Sequence, residues 1–315
     1  MRIKDFGGEF ALIDDITRKA KDARVIVGVG DDCAVLDYGA GKYLLWGVDM
    51  LCEGDHFRND WYTPRQIGAK AMESNVSDIA AMGGLPSGAL ISIALTAETT
   101  VEWVEEFYAG MYSVADKYKF DILGGDTTHS IIQTVSITVL GEVEPDNLCL
   151  RSGAKPGDLV CATGDLGKSK AGLELLLAKT EGDASGHLQP KCRLAEAQVI
   201  APYANSMIDV SDGLASEVGH ICRMSGVGAK IVEENIPISE NTRKTAEKLG
   251  HNPIDYALHG GEDYELVFTL SSENLKKITL NCPLTVVGEI TSKKDVLIES
   301  AAGLKPLKGG FNHFA

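Results

Sequence analysis

The sequence predicts a mixed α/β protein of two domains, and three observations carry that expectation. Short β-branched apolar runs alternate with amphipathic stretches in both halves of the chain. A polar segment rich in turn formers, RSGAKPGD at residues 151–158, lies between two strongly apolar strands. The length, 315 residues, is enough for two domains sharing an interface. The expected division is 1–150 and 151–315, each with mixed strands flanked by helices, α/β or α+β in class.

In chain order, an acidic amphipathic helix is expected over roughly residues 9–20. The β-branched run Arg24 to Val27 reads as a strand that turns at Gly28-Val29-Gly30 towards a second strand, Ala34 to Leu36. Tyr43 to Met50 predicts a strand ending at Asp49. Helical spacing runs from Pro64 to about Met82, with Thr63 as N-cap and Gly83-Gly84 as the stop. Gly88 to Leu95 is a strand, and Thr100 to Tyr118 a helix whose core stripe is Trp103, Phe107, Met111 and Val114. Ile131 to Val143 is the longest alternating strand, and the Ser and Thr on its other face make it a candidate for a subunit interface. The second half restarts with a strand in DLVCATG, a helix through Ala178, a polar loop near 181–189 and a helix over Cys192 to Ile200. An acidic strand-turn, SMIDVSDGL, comes next. Helix Leu214 to Ser225, strand GAKIV, helix Ser239 to Leu249, strand Tyr264 to Leu270 and a last helix-strand pair complete the chain.

Aspartates recur at the edges of these apolar segments. They are Asp31 and Asp32 in GVGDD, Asp49 in GVD, Asp78 in NVSDIAAMGG, Asp126 in LGGDTT, and Asp209 and Asp212 in IDVSDGL. Adjacent carboxylates repel each other, so a fold that keeps Asp31 and Asp32 ionised needs a nearby cation. Hard divalent ions such as Mg²⁺ and Ca²⁺ prefer carboxylate oxygens. Alone, Gly-Asp-Asp is ordinary turn composition. Its recurrence points to one site holding several metals, and phosphoryl transfer suits such a site because metals neutralise phosphate oxygens while the protein positions the reactants. Asn75 and Asp78 lie three apart on their helix and are expected to share the face that looks at the acidic turns.

The formal net charge of −15 argues against a nucleic-acid partner, but not against a nucleotide carried in with its own Mg²⁺. Seven dispersed cysteines with no CxxC pair read as reduced thiols in a cytoplasmic protein. The start, MRIKDFGGEF, has no apolar signal core, and no apolar run is long enough to span a bilayer. ATGDLGKS, Ala162 to Ser169, misses the P-loop pattern only at its first glycine, but Asp165 would crowd a phosphate cradle. It reads as a glycine-rich strand-to-helix turn. His56 and His259 lack His-x-x-x-His metal spacing, and there is no G-x-S-x-G elbow. HGGEDYELVF sets two glycines and two acids before a strand, as either a pocket wall or a hairpin.

Taken in order, GVGDDCAVL, DMLCEGDHF, NVSDIAAMGG, LGGDTT, RSGAKPGD, TGDLGKS, IDVSDGL and HGGEDYELVF resemble the thiamine-monophosphate kinases. These belong to the ATP-binding superfamily that includes aminoimidazole ribonucleotide synthetase, and the resemblance runs from about Phe6 to Phe314. It implies a two-domain aminoimidazole ribonucleotide synthetase-like fold and a homodimer. Domain 1–150 would bind ATP and Mg²⁺ and dimerise, and domain 151–315 would complete the site. The implied activity is ATP-dependent phosphorylation of thiamine monophosphate to thiamine diphosphate. The implied Mg²⁺ ligands are Asp31, Asp49, Asp78, Asp126, Asp209 and Asp212, with Asp32 beside them. Implied ATP contacts are Tyr108, Gly125, Asp126, Arg151 and Ser211, and implied thiamine monophosphate contacts are His56, Glu262, Asp263 and Phe311. No general base is expected, since the acceptor phosphate is already ionised near neutral pH. Gly47 and Val48 depart from the pattern, standing where relatives usually carry hydroxyl residues. The alternatives are a non-catalytic, metal-dependent binder of thiamine diphosphate or nucleotide, and another ATP-dependent enzyme of the superfamily.

Overall fold

The computed structural model describes residues 9–309. The first half comprises α1 (Glu9–Ile16), β1 (Val25–Val27), β2 (Ala34–Asp37), β3 (Tyr43–Cys52), α2 (Pro64–Ala81), β4 (Leu85–Leu95), α3 (Val101–Tyr118), β5 (Asp121–His129) and β6 (Thr134–Val143). The second comprises β7 (Leu159–Thr163), α4 (Lys168–Leu177), α5 (Ser185–Leu188), α6 (Leu194–Ile200), β8 (Ser206–Asp209), α7 (Leu214–Ser225) and β9 (Gly228–Val232). It continues through α8 (Glu240–Leu249), α9 (Pro253–His259), β10 (Leu266–Leu270), α10 (Ser272–Leu275), β11 (Leu284–Thr291), β12 (Val296–Ser300) and β13 (Gly303–Pro306).

The strands form two mixed sheets, of order β1-β2-β3-β6-β4-β5 and β13-β12-β9-β11-β7-β10-β8. All pairings are antiparallel except β4 with β5 and β12 with β9. The first parallel pair is joined by helix α3, as a crossover requires. β6 sits inside its sheet between β3 and β4, so it has no free edge to offer a partner. It also begins at Thr134, because Ile131 and Ile132 belong to an exposed turn.

Helix α2 is the element both halves are built around. Thr63 and Gln66 close a capping box at its start, with Pro64 in the first turn. At its end Gly83 (φ +73°) and Gly84 donate back to the Ala80 and Ile79 carbonyls. Most of its residues are buried, polar ones included, because α3 covers one side while α6 and β8 of the second half cover another. The α2–α3 approach is close enough that a Cβ on Gly68 or Gly110 would lie 2.0 Å from a backbone oxygen of the other helix. One large apolar core therefore runs from Ile91, Ile137, Phe107 and Met72 across to Met207 and Phe268. A second core, with Val218, Ile221, Ala229 and Val287, lies under the second sheet.

Candidate active site

A cavity of about 820 Å³ opens where the β3 end, α2, the β8 turn and the Gly260–Tyr264 turn meet. Pleat alternation sets its first carboxylate: Val48 and Met50 are exposed on β3, so Asp49 points inward, against α2. Helix α2 presents Ser74 and Asp78, four residues apart on one face. β8 ends at Asp209, which is 2 % exposed and accepts a hydrogen bond from Ser77 Oγ at 2.5 Å. The turn after β1 brings in Asp31 and Asp32, and the turn after β8 brings in Ser211 and Asp212.

Single carboxylate oxygens of Asp32, Asp78 and Asp209 all lie within 4.8 Å of one another. The only cation that pairs with this group among the described residues is Arg151, whose Nη2 is 2.5 Å from Asp32 Oδ1 and whose backbone N–H donates to Asp31. Burial, with neighbouring carboxylates adding to it, pushes Asp31 to about 7 and Asp209 to about 8 and also raises Asp49 and Asp78. Burial alone raises Asp32, against the pull of Arg151. Asp32 Oδ2 is buried without a hydrogen-bond partner among the described residues. An all-oxygen set with an orphaned, desolvated acceptor fits a hard divalent ion.

Several expected residues converge here. Asp31, Asp32, Asp49, Asp78, Asp209, Asp212, Arg151, Ser211, His56 and Glu262 all line the cavity. Asp126, Gly125 and Tyr108 do not. Asp126 and Gly125 are exposed on β5, the far edge strand of the first sheet, where a Cβ on Gly125 would lie 1.7 Å from the Ile91 carbonyl oxygen. That glycine is required by strand packing. Tyr108 stays on α3 beside Phe107 and Tyr112.

Asp263 also turns away from the cavity. It is fully buried and accepts from the Gly167 and Ser169 N–H groups, capping the start of α4. Phe311 lies outside the described residues. Asn75 is buried and donates to the Ala71 carbonyl, so Ser74 rather than Asn75 shares the cavity face with Asp78.

Lys168 pairs with Glu265 and is absent from the cavity wall, as a strand-to-helix turn rather than a P-loop requires. Gly47 has a packing reason too: a Cβ there would come within 2.9 Å of Cys33 Sγ. Sequence reading missed Ser74 and Ser77, which bind or border the aspartates, and Glu217, which accepts from the Asp212 N–H. It also missed Lys70 and His187 around Glu262. The fourfold spacing Lys70-Ser74-Asp78 is the one signal that pointed to some of them.

Two family models match the chain: AIR synthase related protein, N-terminal domain, over residues 30–143, and its C-terminal domain over residues 155–299. The thiamine-monophosphate kinase of Aquifex aeolicus (strain VF5) is 39 % identical over 321 residues, covering 100 % of both chains. That of Bacillus subtilis (strain 168) is 38 % identical over 326 residues, covering 97 % of this chain and 99 % of its own. Among solved structures, AaThiL complexed with AMPPCP and TMP superposes with a TM-score of 0.90 at 38 % identity, covering 99 % of each chain.

Proposed function

This chain belongs to the thiamine-monophosphate kinase family of AIR synthase related proteins, and we propose from that premise that it phosphorylates thiamine monophosphate with ATP. The observation that carries the reading is the convergence of Asp32, Asp78 and Asp209 in a cavity with room for two anionic substrates. An oxygen of the thiamine monophosphate phosphate bonds to the terminal phosphorus of ATP as the bond from that phosphorus to the bridging oxygen breaks. ADP and thiamine diphosphate leave, and no proton has to move.

Asp31, Asp32, Asp49, Asp78, Asp209 and Asp212 would hold Mg²⁺, which when bound supplies the positive charge that offsets the phosphate oxygens. The chain's own residues set the stage. Arg151 holds Asp31 through its backbone N–H and Asp32 through its guanidinium, Ser77 orients Asp209, and Glu217 anchors the turn carrying Asp212. Arg151 and Ser211 are the proposed nucleotide contacts, and His56 and Glu262 the proposed thiamine monophosphate contacts.

Tyr108, Gly125 and Asp126 join the site only if a second copy supplies them. On the outer face of the first sheet Trp46, Val48, Met50 and Leu90 are all exposed. Asp126 lies in register with Ser92, Ser136 and Met50 across that sheet, hence on this apolar face. A homodimer covering this face would bury the apolar row and carry Asp126 into the shared interface. Light scattering is expected to give twice the chain mass, and a monomer mass at micromolar concentration contradicts the dimer. The kinase reading itself is tested by incubating the purified protein with ATP, thiamine monophosphate and Mg²⁺. Thiamine diphosphate and ADP are expected in equal amounts, and no product at any Mg²⁺ concentration overturns the assignment.

A further inference from the structure

The cavity face of α2 carries a residue of a different kind one turn before Ser74. Lys70 is 1 % exposed, and its ammonium donates to Glu262 at 2.8 Å, to the His56 carbonyl at 2.8 Å and to Tyr62 Oη at 3.1 Å. Both Glu262 carboxylate oxygens lie 2.8 Å from Nζ. The ammonium's three donor directions are thereby used. Beside the pair sits His187, with Nδ1 3.4 Å from Glu262 Oε2 and 3.0 Å from Ser169 Oγ. Burial and Lys70 push His187 down to about 4, so it stays neutral near pH 7 and leaves the charge balance to Lys70.

Glu262 also carries backbone strain. It and Tyr264 adopt φ values of +63° and +50°, flanking Asp263, which faces the opposite way to cap α4. Non-glycine residues hold the left-handed region only where surroundings over-determine it. The Glu262 N–H bond to the Ser211 carbonyl and the Tyr264 N–H bond to the Val210 carbonyl fix the backbone, and Lys70 fixes the side chain. Glu262 therefore reaches the cavity with its charge matched from the protein side. It offers a hydrogen-bond acceptor without adding an uncompensated anion near the phosphates.

Resting on the reading that thiamine monophosphate enters this cavity, we propose that Lys70 is a positioning residue for substrate recognition. Its ammonium holds the Glu262 carboxylate in the left-handed turn as an acceptor for the amino group of the substrate's aminopyrimidine. Because Lys70 acts through Glu262 and not on the reacting phosphates, its loss falls on one substrate.

Steady-state kinetics on purified variants tests this. Lys70→Met is expected to raise the KM for thiamine monophosphate by about a hundredfold, the scale of truncating one partner of a buried hydrogen-bonded charge pair. The KM for ATP should stay within about threefold, since the lost contact is to the other substrate. Glu262→Gln and the double variant Lys70→Met/Glu262→Gln should reach a similar thiamine monophosphate KM, the non-additivity expected of residues acting as a unit. The double variant leaves no unpaired buried charge, so it carries the test if Lys70→Met fails to fold. An analogue with oxo in place of the pyrimidine amino group sharpens it, because the amide that Glu262→Gln introduces can donate an N–H to that oxygen. Glu262→Gln should narrow the preference for the amino compound by about tenfold or more. Additive losses, equal rises in both KM values or an unchanged preference overturn the role of Lys70 while leaving the kinase reading intact. Wild-type protein that makes no thiamine diphosphate overturns both.

Discussion

A buried glutamate, Glu265, and a cluster of buried aspartates are treated in opposite ways by this molecule. Glu265 is fully buried, yet Lys168 and Arg193 both pair with it and Thr163 Oγ1 donates to it. Burial pushes its carboxyl up, but Arg193 and Lys168 outweigh that and hold it below the usual range. The aspartate cluster sets several carboxylates against, among the described residues, the guanidinium of Arg151, and its acids are raised. At Glu265 the chain supplies the cations itself, and the acid ties β10 to Lys168 and Arg193. At the aspartates it supplies far less positive charge than negative, which is the arrangement the proposed Mg²⁺ would complete.

The largest expected effect comes from Asp78→Asn, which keeps the shape and removes one charge from the uncompensated group. Turnover should fall by about a thousandfold or more, on the scale of removing a single electrostatic stabiliser of a transition state. The metal-free melting temperature should hold or rise, because like-charge repulsion is relieved. A variant that keeps turnover would erase the distinction between the two groups.

Glu265→Ala should do the reverse. It strands Lys168 and leaves Arg193 with the longer pair to Glu196, a cost of about 3–5 kcal/mol for a broken buried pair, read by urea denaturation. Activity per folded molecule should survive. The smallest effect belongs to Lys168→Ala: Arg193 still pairs with Glu265, so activity should stay within about tenfold, a barrier change of about 1.4 kcal/mol. A loss of several orders of magnitude would put Lys168 on a phosphate and return the turn to a P-loop.

The fold was legible where local chemistry decides it. Thr63, Pro64 and Gly83-Gly84 bracket α2 as their capping preferences require, and α3 buries Phe107, Met111 and Val114 as its spacing demands. Boundaries slipped where tertiary contacts decide. β10 starts at Leu266 instead of Tyr264 because the preceding turn is held left-handed, and LGGDTT, expected at the edge of an apolar segment, lies wholly inside strand β5. In the site, aspartates on strand ends could be read because their recurrence is unusual for surface loops. His187 and Glu217 could not, since a lone His or Glu on a helix reads as surface until its burial is known, and Lys70 had only its fourfold spacing from Ser74 and Asp78 to mark it. Asp263 shows the converse. Beside Glu262 it looks like a second ligand, and only the pleat-like reversal of the turn sends it to a helix N-terminus.

The melting temperature of metal-free protein titrated with Mg²⁺, in wild type and in Asp78→Asn, tests most directly whether the aspartates await a cation. Binding to the folded state alone stabilises by about 2.7 kcal/mol at a hundredfold excess over the dissociation constant. For a chain of this size that is a rise of several degrees. Wild type should show that rise, and Asp78→Asn a much smaller one at the same Mg²⁺ concentration. No Mg²⁺-dependent shift in wild type, or an equal shift in the variant, would contradict it.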